Sequence, residues 1–241
     1  MINNFSQDEI FQRTKLLLGE ENFLKLANST VAIFGIGGVG SFTAEALARS
    51  GVGNFVLIDK DNIDVTNINR QIHALTSSVG KSKVEVMRER ILDINPVAKV
   101  ETVQKFYLPS ESAENFFICD YDYVVDAIDT ITAKINLVVE CKKRGLKIIS
   151  SMGAGNKFNP TLFKVTDIYK TSVDPVAKVL RKKLKELGIK NLKVVYSEEI
   201  PKKINTENFS EKIIGSVAFV PSVAGLIIAA EVVKDLVGGF E

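Results

Sequence analysis

Val31-Ala32-Ile33-Phe34-Gly35-Ile36-Gly37-Gly38-Val39-Gly40 is the stretch on which the fold of this chain turns. Four apolar residues without a polar break describe a strand covered on both faces, as in a parallel sheet. The glycines at 35, 37 and 40 follow at once and open an alanine-rich helix, Ser41 to Arg49, stopped by Ser50-Gly51. Gly35 permits the tight turn, Gly37 lets a phosphate approach the backbone, and Gly40 lets helix pack on strand. The helix N-terminus then offers N–H donors and partial positive charge to an anion. A second strand, Asn54 to Ile58, ends at Asp59, whose carboxylate suits ribose hydroxyls. To this point an NAD-dependent dehydrogenase, an ATP user and a ligand-free glycine turn all remain open.

Outward from this unit the alternation continues. Phe5 to Ala27 reads as two short helices with apolar Ile10, Leu16, Leu17, Leu18, Phe23, Leu24 and Leu26. A polar segment, Asp61 to Ser78, precedes a helix over 80–94 and a strand over Lys99–Val103. A strand at Tyr123–Asp126, a helix at Ala133–Arg144 and a strand at Lys147–Ser150 close the series. This spacing predicts an α/β fold: a Rossmann-like, doubly wound, mainly parallel sheet with helices on both faces. The C-terminal half is more elaborate, with a strand at Thr161–Thr166, a helix at Pro175–Leu187 and a strand at Val194–Ser197. One domain is expected, divided into N-terminal helices (1–29), a nucleotide-binding core (30–155) and a substrate and dimer part (156–241). A polar stretch within the last, about 199–212, reads as an exposed, mobile loop. Ile213 to Ala230 carries no charge for eighteen residues, but Pro221 and Gly225 interrupt it. A strand and turn, then a buried helix from about Ser222, is the stronger reading; a membrane span is the weaker one.

Composition excludes several classes. With 46% hydrophobic and 25% charged residues and a net charge of +2, the chain has no global pull toward nucleic acid, so any RNA contact needs a local patch. Cys119 and Cys141 form no CxxC pair, which argues against a disulfide framework or structural zinc. Both read as ordinary buried or half-buried thiols. The polar N-terminus has no apolar signal segment, which makes the cytoplasm the default and stable membrane insertion unexpected.

The residues after Asp59 separate the candidate chemistries. Asp59 to Gln71 is dense in groups that bind ribose and phosphate, among them Asp61 and Gln71. Arg70 presents a planar fork for phosphate oxygens, Asn67 a neutral donor, and Lys83 a second positive charge. Without its position after the ribose carboxylate, the same run would read as a solvated loop. Asp126 and Asp129 fall at the end of the fourth strand, where open α/β sheets place ligands. Asp129 is preferred as a Mg²⁺ ligand beside a triphosphate, with Asp126 capping the turn. Lys178, Arg181, Lys182 and Lys185 share a helical face, followed by Lys190 and Lys193; such a face grips RNA phosphates or is merely solvated. His73, the only histidine, is a poor base candidate and is expected to shape the pocket or serve structure.

Arg13, the Gly35–Ser41 turn, Asp59-x-Asp61, Asn67-x-x-Arg70-Gln71, Lys83 and Asp129 together resemble the ubiquitin-activating-enzyme-like adenylating family, the ThiF, MoeB and HesA group, over at least residues 10–155. Asn67 to Leu75, Val125 to Asp129, Gly153-Ala154-Gly155 and Phe219 to Gly225 resemble its tRNA-modifying dehydratase branch. The resemblance implies that ATP activates the threonine carboxylate of threonylcarbamoyladenosine in tRNA, which closes intramolecularly with net loss of water. It assigns Gly35, Gly37, Gly38, Gly40 and Asp59 to the nucleotide, Asn67 and Arg70 to phosphates, Lys83 to the triphosphate or adenylate, and Asp129 to the metal. Arg13 becomes a finger reaching a partner subunit's ATP, which implies a homodimer. The oxygen that attacks the adenylate's carbonyl belongs to the substrate, so no protein nucleophile is needed. The branch leaves room for a monovalent cation and for a cysteine desulfurase or sulfur-acceptor partner. Within the family, adenylation of the C-terminal glycine of a ubiquitin-like sulfur carrier is the alternative, disfavoured by the missing zinc cysteines. An NAD-dependent oxidoreductase lacks visible hydride-transfer machinery, and a silent scaffold would keep the fold alone.

Overall fold

A computed structural model describes residues 6–204, except 109, 111 and 112, and residues 214–240. Among the described residues seven strands form one sheet: β1 (Thr30–Phe34), β2 (Asn54–Ile58), β3 (Lys99–Val103), β4 (Tyr123–Asp126), β5 (Ile148–Ser151), β6 (Phe163–Asp167) and β7 (Lys193–Ser197). Their order is β3-β2-β1-β4-β5-β7-β6. Every pairing is parallel except β6 with β7, which is antiparallel. The chain therefore winds one way from β1 through β2 to β3 and the other way from β4 onward, and the order reverses between β1 and β4. The predicted doubly wound α/β architecture is what the chain adopts.

The helices are α1 (Gln7–Leu18), α2 (Glu20–Asn28), α3 (Gly40–Arg49), α4 (Lys83–Ile94), α5 (Ile131–Lys143), α6 (Pro175–Glu186) and α7 (Phe219–Val237). Alternate side chains of the central strands point to opposite faces. Ile33, Leu57 and Val125 pack with Leu26 of α2, Leu47 of α3, Met87 of α4 and Ile228 of α7. Ala32, Phe34, Val56 and Val124 pack on the other face with Leu137 of α5 and Leu184 of α6. Three layers result, with the ends of β1 and β4 held rigidly between them.

Some expectations fail locally. Residues 214–218 form no strand, and α7 begins at Phe219 rather than near Ser222. Pro221 sits in the first turn of α7, where its missing N–H costs no helical bond. Cys119 is exposed rather than buried, beyond the last turn before β4, while Cys141 is buried in α5. The apolar residues of α1 and α2 do not all enter the core: Phe11, Phe23 and Leu26 do, but Leu16 and Leu17 are 81% and 85% exposed and Leu24 also faces outward. Most of the expected 199–212 loop, residues 205–212, lies outside the described residues. Among the described residues no helix is long and apolar enough to cross a membrane.

Candidate active site

A cavity of about 480 Å³ opens at the switch point, against the C-terminal ends of β1, β2 and β4. Its floor is the glycine turn, and two of the glycines leave no room for substitution. Gly35 adopts φ +91°, and a Cβ there would lie 2.6 Å from the Ala127 carbonyl oxygen; at Gly40 it would lie 1.8 Å from the Gly35 carbonyl oxygen. The loop after β4 is thus pressed against the loop after β1. Gly37 and Gly38 line the cavity just ahead of α3, where N–H groups of a helix terminus favour an anion.

Asp59, at the end of β2, holds this floor as well as facing the cavity. Its carboxylate accepts from the Ile36 N–H at 2.7 Å and from the Asp61 N–H at 2.9 Å. Burial pushes its pKa up, against the charge of Lys83 and those two N–H donors. Lys83, buried at the start of α4, donates to Asp61 at 2.9 Å and also lines the cavity. Asn67 is buried in a 3₁₀ turn, where its side-chain oxygen accepts from the Asp64 N–H at 3.1 Å. That bond fixes the orientation of the amide, whose NH2 group is a donor a ligand oxygen could take. Arg70 Nη1 donates to the Thr66 carbonyl at 2.7 Å and to the Asn69 side chain at 2.9 Å. Gln71 is buried with its side-chain oxygen unpartnered beside the cavity it lines.

Asp129 reaches the same cavity from the β4 loop, exposed, where among the described residues Thr130 Oγ1 donates to it at 3.2 Å. Asp126 is separate in kind. It is fully buried, accepts from Lys134 at 3.0 Å and Ser150 Oγ at 2.5 Å, and caps the turn by accepting from the Ile128 N–H at 3.2 Å. Lys134 was not among the expected site residues although it lines the cavity. Its signal was a lysine on the apolar face of α5, beside Ala133, Leu137 and Cys141. The far wall is Ser151 to Gly155 with Val176, Ile214, Ser216 and Pro221. Beneath it, Lys157 and Asp174 form a buried pair at 2.9 Å, and Lys157 also donates to the Gly153 carbonyl.

Not every expected residue converges here. Arg13 is exposed on α1 and does not line the cavity, nor does His73, which is 2% exposed with both ring nitrogens unpartnered. Burial, then the charges of Lys83 and Arg90, lowers the His73 pKa to about 4, which makes it a neutral structural group. The basic face of α6 is divided: Lys178, Lys182 and Lys185 are exposed, while Arg181 is half-buried and donates to Thr171. Lys193 belongs elsewhere, paired with Glu231 and Asp235. Burial, then Asp126, pushes the Cys141 thiol up to about 12, far from nucleophilic duty.

A nucleotide-sized cavity at the switch point of a doubly wound sheet, with Arg70, Lys83 and the exposed Asp129 carboxylate lining it, defines a nucleotide-binding α/β protein of the adenylating kind. The model of the ThiF family matches residues 11–240, and the chain belongs to that family. It is 51% identical to the tRNA threonylcarbamoyladenosine dehydratase of Bacillus subtilis, over 96% of this chain and 96% of that protein. The Escherichia coli protein of the same name is 45% identical over 73% of this chain and 65% of its own length. The crystal structure of the E. coli dehydratase in complex with AMP superposes with a TM-score of 0.88 at 36% identity, covering 96% of this chain and 95% of that one; its complex with ATP gives 0.87.

Proposed function

We propose that this chain uses ATP to activate the threonine carboxylate of threonylcarbamoyladenosine in tRNA, so that the side chain closes on itself with net loss of water. The observation that carries this reading is that one cavity is lined both by a nucleotide cradle at Gly35–Asp59 and by a second wall at Ser151–Gly155, against which an acceptor carboxylate would sit. Likeness to the B. subtilis dehydratase over nearly the full length of both chains, and to the E. coli dehydratase crystallised with AMP and with ATP, supports it.

In this reading Asp59 takes the ribose hydroxyls, and the N–H groups ahead of α3 take phosphate oxygens. A carboxylate oxygen of the substrate attacks the α-phosphorus and pyrophosphate leaves. Arg70 and Lys83 stabilise the negative charge that builds on the phosphate oxygens, and the amide donor of Asn67 fixes their direction. An atom of the substrate's own carbamoyl group then attacks the acyl carbon, closing the ring and releasing AMP. No cysteine takes part. Asp129, exposed where it lines the cavity, would hold a Mg²⁺ ion shared with phosphates and water, as Mg²⁺ commonly binds. When bound, that ion neutralises triphosphate charge.

The reading extends to a single domain with parts at 1–29, 30–155 and 156–241, and to a cytoplasmic homodimer. The exposed Leu16 and Leu17 of α1 support pairing, with Arg13 on the same helix directed to the partner's ATP. Lys178, Lys182 and Lys185, with Arg181, would grip tRNA phosphates. A monovalent cation and a cysteine desulfurase or sulfur-acceptor partner are its outermost proposals. Purified protein, ATP and tRNA carrying threonylcarbamoyladenosine test it: ATP-dependent conversion supports it, whereas ATP–pyrophosphate exchange driven only by a ubiquitin-like carrier would favour the sulfur-carrier alternative.

A further inference from the structure

Asn156 directly follows the Gly153–Gly155 wall and adopts the left-handed backbone region, φ 59°. Asparagine tolerates this conformation better than other residues bearing a Cβ. From there it holds two distant pieces of chain. Its N–H donates to the Gly215 carbonyl at 2.8 Å, and its carbonyl accepts from the Lys202 N–H at 2.7 Å. Its side-chain oxygen accepts from the Gly215 N–H, also at 2.7 Å. Gly215 lies between Ile214 and Ser216, which both line the cavity. The Ser216 carbonyl accepts from the Asn69 side chain at 3.1 Å, and the Asn69 oxygen accepts from Arg70. Packing closes the same seam, since a Cβ on Gly155 would fall 2.2 Å from Ile214 Cγ2.

We propose that Asn156 is a positioning residue for the carboxylate-bearing nucleoside. It fixes the 214–216 segment against the Gly153–Gly155 turn. This rests on the functional reading above. Asn156 itself does not touch the reacting atoms; what it controls is the shape of the wall that receives the acceptor. Substitution separates its two attributes. Asn156→Asp keeps the acceptor oxygen and the tolerance of left-handed backbone, Asn156→Gly keeps only the backbone freedom, and Asn156→Ala keeps neither.

The test is steady-state kinetics with ATP and tRNA bearing threonylcarbamoyladenosine, alongside ATP binding by calorimetry and thermal melting. Asn156→Ala should raise KM for tRNA about tenfold, because small misplacements of a substrate are costly. Its ATP affinity should stay within about twofold, a difference well under one decade. Asn156→Asp should restore the tRNA KM, with Asn156→Gly between. An unchanged KM for tRNA in Asn156→Ala overturns the proposal. So does a loss shared equally by ATP binding, tRNA KM and melting that Asn156→Asp fails to rescue. Wild-type protein that binds ATP yet leaves the tRNA unaltered removes the functional reading and this inference with it, and shows itself before any variant is made.

Discussion

The two ends of the cavity are built by different means. The nucleotide end is made of backbone: Gly35 and Gly40 are pressed so closely on Ala127 and on each other that no Cβ fits, and Asp59 is tied by N–H groups of Ile36 and Asp61. The proposed acceptor end is joined by contacts between separate segments, with the Lys157 side chain bridging Gly153 and Asp174 and Asn156 tied to residue 202 through its backbone and to residue 215 through backbone and side chain. A backbone-built floor is rigid and tolerates no substitution at Gly35 or Gly40. An end held partly by side chains can be retuned one contact at a time, which suits a wall proposed to receive the acceptor.

Substitution at the nucleotide end should have the largest effect. Gly40→Ala places a methyl 1.8 Å from the Gly35 carbonyl oxygen, and because both contacts are backbone, neither yields. Loss of ATP-induced thermal stabilisation, or of the folded protein altogether, is expected in melting experiments. A stable, ATP-binding variant would break the contrast. At the acceptor end, Lys157→Met strands the Asp174 carboxylate, whose side chain is 0% exposed, and removing one partner of a buried pair costs about 3–5 kcal/mol. Urea unfolding should read this, and adding Asp174→Asn should recover part of it. Arg70→Ala should cut turnover by about 10²–10³ while leaving stability within about 0.5 kcal/mol. Single-turnover assays and melting measured together decide this; wild-type-like turnover would remove Arg70 from the chemistry.

These contacts differ in how visible they are along the chain. The nucleotide end is legible because its parts are close in sequence: the Gly35–Gly40 turn, Asp59 at the next strand end, and the Asn67–Gln71 run. Steric need and hydrogen-bond need there are written as residue types at fixed spacing. The acceptor end is not, because Lys157 meets Asp174 and Asn156 meets Gly215 only once β5, α6 and the approach to α7 have packed. Lys134 was hidden for a related reason: a lysine reads as surface until Asp126 is placed beneath it. The strand expected before α7 failed because an uncharged run fits a buried helix and a strand alike. The outward turn of Leu16 and Leu17 was equally invisible, since apolarity does not say which surface will cover it.

Acid should sharpen the contrast from the other side. His73 lies two residues past Gln71, and its pKa in the fold, about 4, is below the ordinary 6.5. The unfolded chain therefore binds the proton first. The stability this neutral ring contributes is complete above pH 6.5 and is lost as pH falls toward 4, by up to about 3 kcal/mol. Denaturation at pH 7 and pH 4.5 should show that decline, and His73→Leu should flatten it. The smallest effect belongs to the periphery. Lys182→Gln on the exposed face of α6 should weaken tRNA binding slightly and reduce its salt slope by about one, without altering ATP binding.

The central claim is that the ATP cradle and the neighbouring wall act on one substrate, a carboxylate on tRNA. Nucleoside mass analysis of threonylcarbamoyladenosine-bearing tRNA, incubated with the protein with and without ATP, tests this most directly. The modified nucleoside should lose the mass of one water only when ATP is present, and Arg70→Ala should suppress the change. An unaltered nucleoside mass from competent tRNA, protein and ATP together would contradict it.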